Sequence, residues 1–89
     1  MRREAAFFGE QELDLLYMAA KLRQALKLED LLTESNIDYL VETGSYTGGF
    51  LFKRELTGAF FYVAPADLER SRELLAAHQF KPFTAEQAS

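Results

Sequence analysis

The stretch from Ala59 to Leu75 constrains the fold more than any other. An apolar run, Ala59-Phe60-Phe61-Tyr62-Val63-Ala64, stops at Pro65, and a charged, leucine-spaced helix follows at once: Ala66-Asp67-Leu68-Glu69-Arg70-Ser71-Arg72-Glu73-Leu74-Leu75. The run is far shorter than the ~20 residues that cross a bilayer and has the length of a strand. Proline suits the first helical turn because the N–H it lacks would be unpaired there anyway. Asp67 complements the positive end of the helix dipole. Helical spacing puts Leu68, Ser71 and Leu75 on the buried face, with Leu74 and His78 beside them. Glu69–Arg72 and Arg70–Glu73, opposite in sign at i,i+3, suit a solvated outer face at about 0.2–0.5 kcal/mol per pair.

The same strand-into-helix order occurs once earlier. Leu13 to Ala19 reads as a strand, with Leu13, Leu15 and Tyr17 on one face and Leu16 and Met18 on the other, the pattern of an internal strand. From Lys21 to Ser35 the period becomes helical. Ala25, Leu28, Leu31 and Leu32 form a compact face assigned to the sheet. Leu22 and Leu26 lie to the side, with Glu29 and Thr33, and either line the edge of the core or contact a second subunit. Asn36 stands where a helix closes in the left-handed conformation. Ile37 to Glu42 is a second strand with Ile37, Tyr39 and Val41 on one face. The expected fold is therefore α+β on a βαββα plan, with an antiparallel sheet and two helices packed on one side. Residues 1–12 form an N-terminal arm, 13–83 one domain and 84–89 a flexible tail, with Gln79–Phe83 as a short extra edge strand.

Three of these stretches, in this order, resemble a known family. They are the Ala25–Leu28–Leu31–Leu32 helix running into Ile37, the glycine-bearing middle segment, and Phe61-Tyr62-Val63-x-Pro-x-Asp-Leu-x-Arg-Ser-x-Glu-Leu-Leu. Together they look like the small prokaryotic signal-transducing domains of unknown function that are similar in fold to PII-type regulators. The resemblance spans roughly residues 13–75. It implies a ferredoxin-like βαββα(β) fold and a regulatory or binding role, and it brings no catalytic residues. Asn36 stands where the family usually has glycine and Ser71 where alanine is common. The Phe7-Phe8 arm is an addition.

Composition narrows the function classes. A net charge of −4, with ten Lys and Arg among fourteen acids, argues against a phosphate backbone as partner. There is no cysteine and one histidine, which leaves no thiol nucleophile, no Gly-x-Ser-x-Gly hydrolase arrangement and no metal-ligand spacing. The expectation is a cytoplasmic, non-enzymatic protein with no cofactor, metal, nucleic acid or membrane partner. His78 is expected to meet free carbonyls at a helix end, and Glu29 to be a partly exposed carboxylate.

The segment 43–58 is the expected site. Gly44-Ser45-Tyr46-Thr47-Gly48-Gly49 lacks the Gly-Lys-Ser/Thr ending of a phosphate loop and reads as a mobile hairpin connection. Residues 50–56 read as either a strand or an extended loop, and Thr57-Gly58 as punctuation. By analogy with the long loop of PII-like proteins, Gly44, Tyr46, Gly48, Gly49, Lys53 and Arg54 would engage a protein partner or, alternatively, a nucleotide or other small anionic metabolite. Eight phenylalanines and four tyrosines exceed what so thin a core can hide. Phe7, Phe8, Leu22, Leu26, Phe50 and Phe52 are accordingly expected at a homo-oligomer interface, a dimer being favoured.

Overall fold

The computed structural model describes residues 1–48 and 54–80, with the backbone alone for 45–48 and 54–57. The elements run α1 (Ala5–Phe8), β1 (Asp14–Ala19), α2 (Leu22–Glu34), β2 (Tyr39–Gly48), β3 (Arg54–Val63), a 3-10 turn at Pro65–Asp67 and α3 (Leu68–Ala77). The strands form one antiparallel sheet in the order β1-β3-β2. The class is α+β. The expected edge strand at Gln79–Phe83 and the tail 84–89 lie largely or wholly outside the described residues.

One sheet face carries the core. The register sets Tyr39 opposite Val63, and Val41 and Tyr17 both opposite Phe61. Against this face pack Ala25, Leu28 and Leu32 from α2 and Ser71 and Leu75 from α3, in one cluster with Leu16, Ala19 and Ile37. Both helices thus share one side of the sheet, as their spacing predicts. Ser71 is fully buried, and its hydroxyl donates to the Asp67 carbonyl at 2.7 Å, so the polar atom is satisfied by the turn that starts its helix.

β1 departs from the sequence reading in two ways. Within the described sheet it is an edge strand, not an internal one, because the longest apolar run, β3, takes the centre and pairs on both sides. Its faces also do not follow simple alternation. The register steps from Leu15↔Tyr62 to Tyr17↔Phe61, which leaves Leu16 as the extra residue of a β-bulge. Leu16 is fully buried and Tyr17 packs against the same core, so the bulge sends two consecutive side chains inward. Leu13 precedes the strand.

The segment 43–58 is also corrected. Rather than a loop, most of it is ladder: β2 and β3 pair continuously from Tyr39↔Val63 to Gly48↔Arg54, with Gly58 inside β3 opposite Gly44. An ideal Cβ on Gly44 would meet the Phe60 ring at 3.4 Å. The Phe60 ring thus lies over Gly44 of the neighbouring strand at contact distance.

Both long helices end in Schellman motifs. After α2, Asn36 has φ 57, its N–H bonds the Thr33 carbonyl at 3.1 Å, and Ile37 N–H bonds Leu32 at 3.0 Å. After α3, Gln79 has φ 66, its N–H bonds Ala76 at 3.2 Å, and Phe80 N–H bonds Leu75 at 2.8 Å. The first stop was legible as Asn36. The second uses glutamine, which tolerates the left-handed region poorly. Gln79→Gly is expected to raise stability by about 0.5–1 kcal/mol, read as a higher urea midpoint at unchanged slope. An equal or lower midpoint would contradict the strained cap.

The charges of α2 are arranged against its own dipole. Lys21 caps the N-terminus and Arg23 lies in the first turn, Glu34 closes the C-terminus, and no acid occupies the first turn and no base the last. Arg23–Lys27 and Asp30–Glu34 are in addition like-charged at i,i+4. Each such pair costs roughly 0.2–0.5 kcal/mol and each wrong-signed end roughly 0.3–1 kcal/mol at low salt.

Candidate functional site

The expected site falls on a projecting ribbon. β1 pairs with β3 only as far as Ala19↔Ala59. From Gly44↔Gly58 to Gly48↔Arg54 the ladder has two strands among the described residues, a length of about 17 Å at ~3.4 Å per residue. Gly44, Tyr46 and Gly48 take alternate positions along β2, and Arg54 stands opposite Gly48 in the register. Gly49, Phe50, Phe52 and Lys53 lie outside the described residues. The fold therefore brings four of the six expected binding residues onto one hairpin.

The expected interface residues divide between two elements. Leu22 and Leu26, one turn apart on α2, are 74% and 52% exposed, so of the two readings the edge-of-core position is not the one they occupy. Phe7 is 53% exposed on α1 and stacks edge-on against Phe8 at 5.1 Å. The Arg3 guanidinium lies 4.4 Å from the Phe7 ring centre.

A third locus is the N-terminal arm, whose adjacent Phe7 and Phe8 point to docking on its own domain or on another subunit. The arm docks on its own domain: Arg2 bridges to Tyr39 in parallel along the free edge of β2. Arg3 N–H donates to the Tyr39 carbonyl at 2.7 Å, and Tyr39 N–H donates to Met1 at 3.1 Å. The Met1 amino group also donates to the Ile37 carbonyl. Arg3 pairs with Asp38 at 2.9 Å, and Arg2 lies 3.6 Å from Glu29. Glu29 accepts a long hydrogen bond, 3.4 Å, from the Tyr39 hydroxyl. A shallow groove beside it is lined by Leu26, Glu29, Asp30, Thr33, Glu34 and Tyr39. The Arg2-Arg3 pair signals an arm but carries no sign of its partners, which lie 27 and 35 residues away.

His78 is the exposed C-cap residue of α3, and its backbone N–H reaches the Leu74 and Leu75 carbonyls. Arg70 pairs with Asp67 at 3.0 Å rather than with Glu73, which ties the helix to the turn that starts it. Among the described residues no cluster of three His, Cys, Asp or Glu side chains could hold a metal, and no helix is long and apolar enough to cross a membrane.

Burial raises the phenol pKa values of Tyr17, Tyr39 and Tyr62; the Glu29 carboxylate adds to this at Tyr39 and Glu42 at Tyr62. A raised folded-state pKa means that the native protein holds these protons more tightly than the unfolded chain. Their contribution to stability is complete below the unfolded value of about 10 and is lost as pH rises through the folded values. Stability is therefore expected to fall on the alkaline side of about pH 10. Tyr39→Phe should flatten that fall in denaturant titrations across the alkaline range; an unaltered slope would remove Tyr39 from the effect.

The architecture defines a small α+β domain with a two-stranded projection and a docked arm. Compared with protein-family models, with curated proteins and with solved structures, the chain matches none.

Proposed function

We propose that this chain is a non-catalytic regulatory or binding domain of the prokaryotic cytoplasm that self-associates and engages a protein partner through residues 43–58. The observation that carries this reading is the continuation of the β2–β3 ladder for five residue pairs beyond β1. A two-stranded hairpin without a third strand is marginally stable alone, and its backbone edges are templates for a partner's strand. The βαββα succession with antiparallel order β1-β3-β2 supports a ferredoxin-like plan, and with it the PII-like resemblance. Fold analogy supports the regulatory role more weakly than the projection does.

The test is a shortened hairpin in which a two-residue Asn-Gly turn replaces residues 45–57. A protein retained from a native lysate by wild type and lost by the shortened form, at matched thermal stability, supports the reading. Equal retention by both forms overturns it. A nucleotide or metabolite that raises the melting temperature of wild type, but not of Lys53→Ala/Arg54→Ala, would move the function to the small-anion sensor.

A further inference from the structure

We infer that α2 is the self-association element, pairing antiparallel with α2 of a second copy about a two-fold axis near the helix midpoint, between Leu28 and Glu29. The inference rests on the self-association reading and gives it a surface and a geometry. Its basis is the charge order of the helix together with its exposed leucines. Arg23 and Lys27 occupy the first half of α2, and Asp30 and Glu34 the second. All four are exposed, and none takes part in an ion pair among the described residues. Lys27 has a neighbour in the Phe80 ring, 6.0 Å away, and Glu29 has one in Arg2. Within one molecule this order sets like charges one turn apart and opposes the helix dipole.

A two-fold rotation reverses each of those relations. In an antiparallel pair the basic half of one helix lies beside the acidic half of the other, so Arg23 and Lys27 face Asp30 and Glu34 across the axis. The N-terminus of each helix also meets the C-terminus of its partner. The pattern is self-complementary, which is what an isologous contact requires. Leu22 and Leu26, 74% and 52% exposed, lie beside the charged stripe and add apolar area to the contact. Met1, 51% exposed, lies on the arm that Arg2 anchors to Glu29 of the same helix. One helix face falls short of the roughly 800 Å² per partner of a standard interface. The dimer is accordingly weak and reversible, forms at micromolar to millimolar concentration, and weakens with salt.

Sedimentation equilibrium of the full chain separates the outcomes. Two variants give positions 23, 27, 30 and 34 a single sign: an acidic one, Arg23→Glu/Lys27→Glu, and a basic one, Asp30→Lys/Glu34→Lys. Each alone is expected to weaken self-association by about ten-fold or more, and an equimolar mixture is expected to restore it as a heterodimer. Each variant gives one end of the helix the sign the dipole favours, so circular dichroism should report intact folding. A wild-type dimer that persists in both variants overturns the α2 pairing while leaving self-association standing. A wild-type monomer throughout the concentration range overturns self-association itself, and the pairing with it.

Discussion

Phe61→Ala is expected to cost about 3–5 kcal/mol of folding free energy, the range for truncating a fully buried aromatic. Phe61 has no exposed surface, sits on the central strand opposite both Tyr17 and Val41, and lies 5.8 Å from the Tyr39 ring centre. Its neighbours come from all three strands and cannot close the gap without breaking register. A chain of this length has about 4–13 kcal/mol of stability to lose, so the variant should be partly unfolded at room temperature or close to it. Urea denaturation followed by circular dichroism measures the difference. A loss below about 1 kcal/mol would mean that the core does not centre on β3.

Deleting Leu16 should be nearly as damaging, for a less obvious reason. The deletion removes the bulge and leaves Leu15 and Tyr17 as consecutive partners of Tyr62 and Phe61, a more regular ladder than the native one. Were backbone regularity the dominant factor, the variant would gain stability. The side chain is fully buried, however, so the deletion leaves a leucine-sized cavity worth about 2–5 kcal/mol. Cavity formation outweighs the single restored ladder step, which contributes about 1 kcal/mol. The comparison of interest is with Leu16→Ala, which keeps the bulge. Similar losses in the two variants assign the cost to packing, whereas a deletion variant as stable as wild type would show that the bulge is only a defect.

Much of the scaffold was legible in the sequence because its signals are local. The Ala25–Leu28–Leu31–Leu32 spacing (of which Leu31 is only half-buried), the stop at Asn36, the alternation of Ile37, Tyr39 and Val41, and the break at Pro65 each act within a turn or two of chain. What escaped depends on pairing at a distance. Leu15-Leu16 looks the same whether or not a bulge divides the two residues. Apolar residues on both faces marked β1 as internal, but the longer run of β3 took that position. Gly44 and Gly58 read as punctuation because glycine favours turns; only their register, opposite one another with the Phe60 ring over Gly44, makes them strand residues. The candidate site shares this limit. Tyr46, Gly48 and Arg54 were singled out, whereas their place on a ladder, and the docking of Arg2 beside Glu29, came only with the fold.

The strand order has a kinetic consequence. β2 and β3 are neighbours in both sequence and space, so their hairpin can close early at low loop entropy. β1 is first in the chain yet joins the sheet only through β3, across a gap that contains all of α2 and β2. Its docking is a long-range closure that the hairpin must precede. Substitutions at the Val41–Phe61 contact should therefore slow refolding, whereas substitutions at Ala19 or Leu16 should mainly speed unfolding. The amino-terminal third of the protein would then be the last part to find its place and the first to leave it.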